Sequence, residues 1–442
     1  MTKNKISRFL IYFLVLTLPF ERLLTLEAFG YTLKLSYFAG LIIIVYSLTL
    51  MISQKINPTL YRDELFLFLF GLLAILTTAW SIDWKRSLII SLVTLFMFLI
   101  FYFLRRIVDS ELRQKVISAV ITLGFFVSLF ALWQFFADKF GLQGFTYLRP
   151  EYQSGVFSFA RVQSTFLEPL YLANFLLIPI FFAIYTGISN CLLCHCEEER
   201  RSNLSIKDCH ASRFTRWLAM TGGRLWLISL ITAIAFFLTM SRGAILALAA
   251  GVILTFLLIQ IFQKEKLSAF LKSILPVVAG FGLAIMFVFA VSGRTGIKEY
   301  SGHTTFSDTT TVGSVVDRQD TMTVAFEESF IHPFGLGAGA FGALPQFKAD
   351  IPLGGYQTVN NLYLEVLVEE GFLGLILLVL FLVYYMLALA REGGENKLFL
   401  IISFGLISAL LIQYLFFSTL YIMYIWVVLA IVSPKTAKMT KS

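Results

Sequence analysis

The stretch SLIISLVTLFMFLIFYFL, residues 87–104, runs eighteen residues without a charge and ends on Arg105 and Arg106. A bilayer core of ~30 Å takes about 20 apolar residues as a helix. In lipid, backbone polar groups find partners only within a helix or a closed barrel. The run is continuously apolar and does not alternate, which speaks against a barrel strand. Similar runs lie near 9–26 (interrupted by Pro19, Glu21 and Arg22), 34–53, 63–80, 115–137, 164–186, 224–240, 243–263, 268–292, 363–390, 397–416 and 418–433. The chain therefore reads as one all-α polytopic membrane domain over residues 1–442, with about twelve transmembrane helices. Its 442 residues are 58% apolar and 14% charged, whereas a soluble domain carries about 25% charged residues. Lys3, Lys5 and Arg8 precede the first run, as in a signal peptide, but no convincing small-residue cleavage site follows it, so it reads as a span.

The basic residues set an orientation. With a cytoplasmic N-terminus, 23 of the 35 Lys and Arg fall on inside segments, and cytoplasmic segments are the ones enriched in these residues. Both termini are then cytoplasmic. The net charge of +8 reflects this bias and attraction to anionic lipid, and calls for no nucleic-acid partner. A long outward-facing loop, 293–362, precedes the tenth span. It is rich in Gly, Thr and Ser and carries Asp308, Asp317, Arg318 and Asp320. Long loops are uncommon without a function. The chain has no Walker motif, dinucleotide fingerprint or EF-hand, so nothing points to direct nucleotide-driven work.

All four cysteines lie in CLLCHCEEERRSNLSIKDCH, residues 191–210. Cys191 and Cys194 have the spacing of zinc ligands, with His195, Cys196, Cys209 and His210 nearby, but a zinc site needs four convergent ligands. The surrounding insert, 190–223, resembles the translated form of a bacterial interspersed palindromic repeat. It is expected to be a tolerated passenger in a cytoplasmic loop, with no metal.

Charges beside membrane spans are costly and so are functional candidates. Arg242, in FLTMSRGAILALAAG, sits between two apolar runs at the outer face. It reads either as an interfacial snorkelling residue or as a grip for phosphate, which a guanidinium matches bidentately. Arg161, in FARVQSTFLEPLYLANFLL, and Arg318, in VVDRQDTMTVAFEE, are the other two candidates, weighed against ordinary juxtamembrane and loop charges. Glu168 is read as lying one to two turns into the sixth span. In TVNNLYLEVLVEEGFLGLILL, Asn361 and Glu365 share one helix face, Glu369 extends it, and Asn360 or Asn361 can cap the helix.

Together these residues resemble the O-antigen ligase and polymerase family. The likeness lies in the order of spans and in four patterns: RVQSTFLEPLYLANFL around Arg161, TMSRGAIL around Arg242, the run from Asp317 through HPFGLGAGAFG, and NNLYLEVLVEEGFLG at the tenth span. The ligase hallmark falls on Asn361, Gly371 and Gly374, with Asn360 where the family has His. Asparagine is no base at neutral pH, so polymerase-type transfer stands beside the ligase reading. His303 and His332 lie in the same loop but off the hallmark, with His332 read as a loop residue.

The resemblance implies a metal-independent membrane glycosyltransferase without cofactors in the bacterial inner membrane. Its donor would be a glycan on undecaprenyl pyrophosphate, and its acceptor lipid A-core, another glycan or a protein. Arg242, Arg161 and Arg318 would then bind the donor pyrophosphate. Glu365, Asn360, Asn361 and Glu168 would form the catalytic group, with Glu365 the leading base. A transporter of lipid-linked glycans is the rival of another class. It should show inverted repeats or broken helices with midplane charges, and no internal repeat is visible.

Overall fold

The computed structural model describes residues 2–22, 25–28, 31–53, 59–154, 159–201, 222–304, 312–348, 357–391, 397–418 and 420–433. Its helices, in chain order, are α1 (Thr2–Thr17), α2 (Leu35–Ile52), α3 (Arg62–Thr77), α4 (Trp84–Ile107), α5 (Ser110–Lys139), α6 (Pro169–Arg201), α7 (Gly222–Leu238), α8 (Arg242–Phe262), α9 (Leu267–Thr304), α10 (Val312–Ile331), α11 (Leu362–Arg391), α12 (Lys397–Gln413) and α13 (Met423–Val432). Among the described residues, eight helices are long and apolar enough to cross a membrane, and three further apolar helices are shorter. The protein is an all-α polytopic membrane protein. Its one strand pairing among the described residues is a hairpin of β1 (Thr25–Ala28) with β2 (Tyr31–Lys34), antiparallel with Thr25 opposite Lys34. The first apolar run, 9–26, is not a single helix: α1 ends at Thr17, ahead of Pro19.

Local chemistry sets the helix starts. The Asp83 carboxylate accepts the Arg86 N–H at 3.2 Å and caps α4. Asp109 accepts from Leu112 N–H at 2.7 Å and caps α5. Such caps satisfy backbone donors that the helix itself cannot.

Packing is helix on helix around α6. Of its spanning stretch 83% is buried, against 28–56% for the other seven long spans. It packs on α5, α7, α8, α9 and α12, while α12 lies along α8, α9 along α7 and α11 along α3. Apolar side chains such as Leu41, Val45, Ile253, Leu257, Ile376 and Val379 point outward, as expected where the solvent is lipid.

The connection 293–362 is more ordered than a loop of Gly, Thr and Ser suggests. α9 continues to Thr304, and α10 occupies most of the middle. Residues 332–344 follow it as a tight loop that is buried from Gly335 onward. A small apolar core of Ala325, Leu336, Ala340, Phe341, Val359 and Val368 ties α10 and this loop to α11. Of the 190–223 insert, the α6 backbone continues as helix to Arg201, and residues 202–221 lie outside the described residues.

Candidate active site

The site is built on a break in α11. Gly371 takes φ 75° and ψ −174°, so Leu362–Glu370 and the long apolar stretch after it are two helical pieces. A side chain there would be strained, and its Cβ would sit 2.4 Å from the Pro333 carbonyl oxygen. The 332–344 loop fills the break with backbone bonds. Leu336 N–H donates to Val368 O at 2.9 Å, Gly337 N–H to Glu369 O at 2.8 Å, and Phe372 N–H to Pro333 O at 3.1 Å. The groups freed by the kink are thus satisfied, as buried backbone must be.

Three glutamates lie on the first three turns of α11: Glu365, Glu369 and Glu370, 7%, 8% and 5% exposed. Glu369 is committed to the loop, accepting Gly339 N–H at 2.7 Å and Phe341 N–H at 3.3 Å. Glu365 hydrogen bonds with the Ser418 side chain and the Val359 backbone. Asn361 is the cap: its Oδ1 accepts Tyr363 and Leu364 N–H at 3.0 and 3.1 Å, and its Nδ2 donates to Leu415 O at 3.2 Å. Asn360 has φ 57°, a left-handed conformation that Asn tolerates better than most residues, and its amide donates to Thr358 O at 3.3 Å. The two asparagines therefore shape and cap the helix start, while Glu365 is left in the interior.

The arginines approach from the other side. Arg161 lies in an extended segment before α6. Its N–H donates to Tyr152 O at 2.9 Å, its guanidinium lies 5.8 Å from the Tyr152 ring centroid, and its Nη2 donates to Thr239 O at 3.4 Å. Thr239 belongs to the turn between α7 and α8, and Arg242 is the first residue of α8. Arg161 and Arg242 are thus brought to one turn, at a helix N-terminus whose dipole favours anions. Burial, with Glu168 nearby, pushes the Tyr152 hydroxyl up to about 12, so it stays a donor at neutral pH.

The two halves meet at residues 414–418. Gly243 packs so closely on this segment that a Cβ would lie 2.7 Å from the Phe416 Cβ. Leu362 N–H donates to Tyr414 O and Phe417 O at 2.9 and 3.2 Å, and Ser418 bonds Glu365. One turn of chain therefore joins the arginine-bearing start of α8 to the start of α11.

Two expectations are corrected. Glu168 is not inside the sixth span: α6 starts at Pro169, the favoured first helical residue, and the Glu168 carbonyl accepts Tyr171 and Leu172 N–H at the helix start. Its charge acts on Tyr152 and Glu21, on the arginine side. Glu21, read only as an interruption of the first span, is 3% exposed and lies 3.4 Å from Lys34. The Arg318 backbone is in α10, but its side chain, like that of His303, lies outside the described residues. His332 follows α10 directly and lies 3.5 Å from Glu328, as a loop residue.

Arg86 was missed. Its Nε donates to Gly339 O at 2.7 Å, and its charge reaches both Glu365 and Glu369. The available signal was its place at the start of the fourth span, with the glycines of GLGAGAFG marking a loop that something must hold.

Buried carboxylates on a broken helix are thus joined through one turn to arginines at a helix N-terminus. Residues 227–379 match the family model described as O-Antigen ligase, a stretch running from α7 into α11 and holding Arg242, Arg318, the glycine loop, Asn360, Asn361 and Glu365. That stretch of the chain is similar to the O-antigen ligase family. A comparison with curated proteins found no match.

Proposed function

We propose that the protein moves a glycan from undecaprenyl pyrophosphate to an acceptor hydroxyl at the periplasmic face of the bacterial inner membrane. The observation that carries this reading is the junction at 414–418, which joins Glu365 to the Arg242 end of α8. The acceptor oxygen bonds to the anomeric carbon as the bond from that carbon to the pyrophosphate oxygen breaks. Glu365 takes the acceptor proton, and undecaprenyl pyrophosphate leaves with the bonding pair. Arg242, Arg161 and Arg318 stabilise the charge that develops on its oxygens, an effect strongest in a low-dielectric site. Neither a metal nor a nucleotide is needed for these steps. Helices α1–α9 and α11–α13 supply the twelve crossings, with both termini in the cytoplasm and the 190–223 insert a passenger on that side.

Transfer to lipid A-core or a protein is the first reading. Repeat-unit polymerisation is the second, favoured by Asn360 in a turn-forming role where the ligase hallmark has His. The break in α11 does not favour a transporter, because it lies near one end of the helix and loop backbone closes it.

Arg242→Ala is expected to lower transfer about ten- to more than hundredfold, the equivalent of one charge-assisted bond of ~1.5–3 kcal/mol made mainly in the transition state. Arg242→Lys should stay badly impaired, since an ammonium cannot reproduce the planar fork. A purified assay with lipid-linked donor reads both, and wild-type transfer by Arg242→Ala overturns the clamp. Orientation has its own test. Asp320 is exposed on α10, so a cysteine at that position should react with an impermeant thiol reagent in intact spheroplasts, while the native cysteines react only after lysis. Labelling of Asp320→Cys only after lysis reverses the topology.

A further inference from the structure

Arg86 stands where three elements meet. At the start of α4 its own N–H is held by the Asp83 cap at 3.2 Å. Its Nε donates to Gly339 O at 2.7 Å, while the N–H of the same glycine donates to Glu369 at 2.7 Å. One residue of the loop is therefore gripped from both ends, by a guanidinium on α4 and a carboxylate on α11. The chain just before Arg86 seats the rest of the loop. Trp80 Nε1 donates to Gly335 O at 3.0 Å, and Gly337 lies so close to Ser81 that a Cβ would be 2.3 Å from its hydroxyl oxygen. The guanidinium is partly buried, and its field reaches Glu365 as well as Glu369.

We propose that Arg86 is a positioning residue for glycan transfer: by holding Gly339 it locks the 335–343 loop onto Glu369 and so fixes the first two turns of α11, which carry Glu365. The kinetic part of this role rests on the proposed transfer reaction. The structural part does not. Arg86 reaches the reaction through the loop and α11, without touching the donor. Lysine would keep the charge but lose the planar Nε donor set beside the terminal nitrogens.

Two measurements on the purified full-length protein test this. The first is backbone amide hydrogen exchange, which needs no assumption about activity. Arg86→Ala should speed exchange at Gly339 and Phe341 by about tenfold or more, and Arg86→Lys by less, with α12 unchanged, because local opening is released where its anchor is lost. Unaltered exchange at those two amides overturns the proposal. The second is steady-state transfer with lipid-linked donor. Arg86→Ala should lower kcat by about tenfold or more with donor KM within about threefold, and Arg86→Lys should recover part of the loss. A raised KM with unchanged kcat makes Arg86 a donor contact and overturns positioning. Wild-type kcat over a loosened loop overturns it too. If Arg86→Ala does not accumulate, Arg86→Gln, which keeps one donor and most of the stem, is read in the same two ways. A wild-type protein that transfers no glycan removes the proposed function, while the exchange measurement still decides the clamp.

Discussion

Glu365→Gln is expected to lower glycan transfer by about 10²–10⁴-fold, the range for loss of a positioned general base. The substitution keeps the shape of a side chain that is 7% exposed and bonded to Ser418 and the Val359 backbone, so the protein should still fold and reach the membrane. Glutamine cannot take the acceptor proton at neutral pH, so the loss should appear in kcat with donor affinity little changed. Glu369→Gln serves as the contrast. Glu369 accepts two loop N–H bonds, so its substitution should loosen the 335–343 loop, which amide exchange detects. Turnover by Glu365→Gln at the wild-type rate would remove Glu365 from the reaction and leave Glu168, on the arginine side, as the remaining carboxylate candidate.

Glu64→Ala is expected to destabilise the protein by about 3–5 kcal/mol, because it strands buried positive charge. Asp63, Glu64, Arg105 and Arg106 join the start of α3 to the end of α4. Arg105 lies 2.6 Å from Asp63 and 3.4 Å from Glu64, Arg106 lies 2.7 Å from Glu64, and all four side chains are at most 7% exposed. Arg106 also reaches the Thr59 carbonyl and stacks 3.5 Å from the Tyr102 ring centroid. The Tyr61 N–H donates to Glu64 at 3.0 Å. Thermal unfolding in detergent should show a clear drop for Glu64→Ala. The double change Glu64→Leu with Arg106→Met should cost less, since an apolar pair needs no compensation in a dry setting. Equal melting of Glu64→Ala and wild type would mean that water reaches the network. The consequence reaches the site, because α3 packs along α11 and α4 begins at the corner that holds the glycine loop.

The sequence by itself determined the class of fold and singled out the candidate charges. Runs such as 87–104 have no stable place except as lipid-crossing helices, because a hydrogen bond lost in lipid costs far more than in water. The same logic singled out Arg242 and Arg161, charges kept beside apolar spans, and placed Glu365 one turn from its cap. Tertiary structure decided what each group does next. Glu365 and Glu369 look alike in LEVLVEE, yet a loop some thirty residues upstream takes the Glu369 carboxylate and leaves Glu365 to Ser418. Asn360 and Asn361 are adjacent, yet one supplies a left-handed turn and the other caps the helix. Arg86, more than 250 residues from Gly339, carried no signal in the sequence beyond its place at one end of the fourth span. Hydrophobic length is a property of consecutive residues, so it can be read along the chain. The partner of a buried charge is set by which helices pack together, so it appears only when the chain is folded.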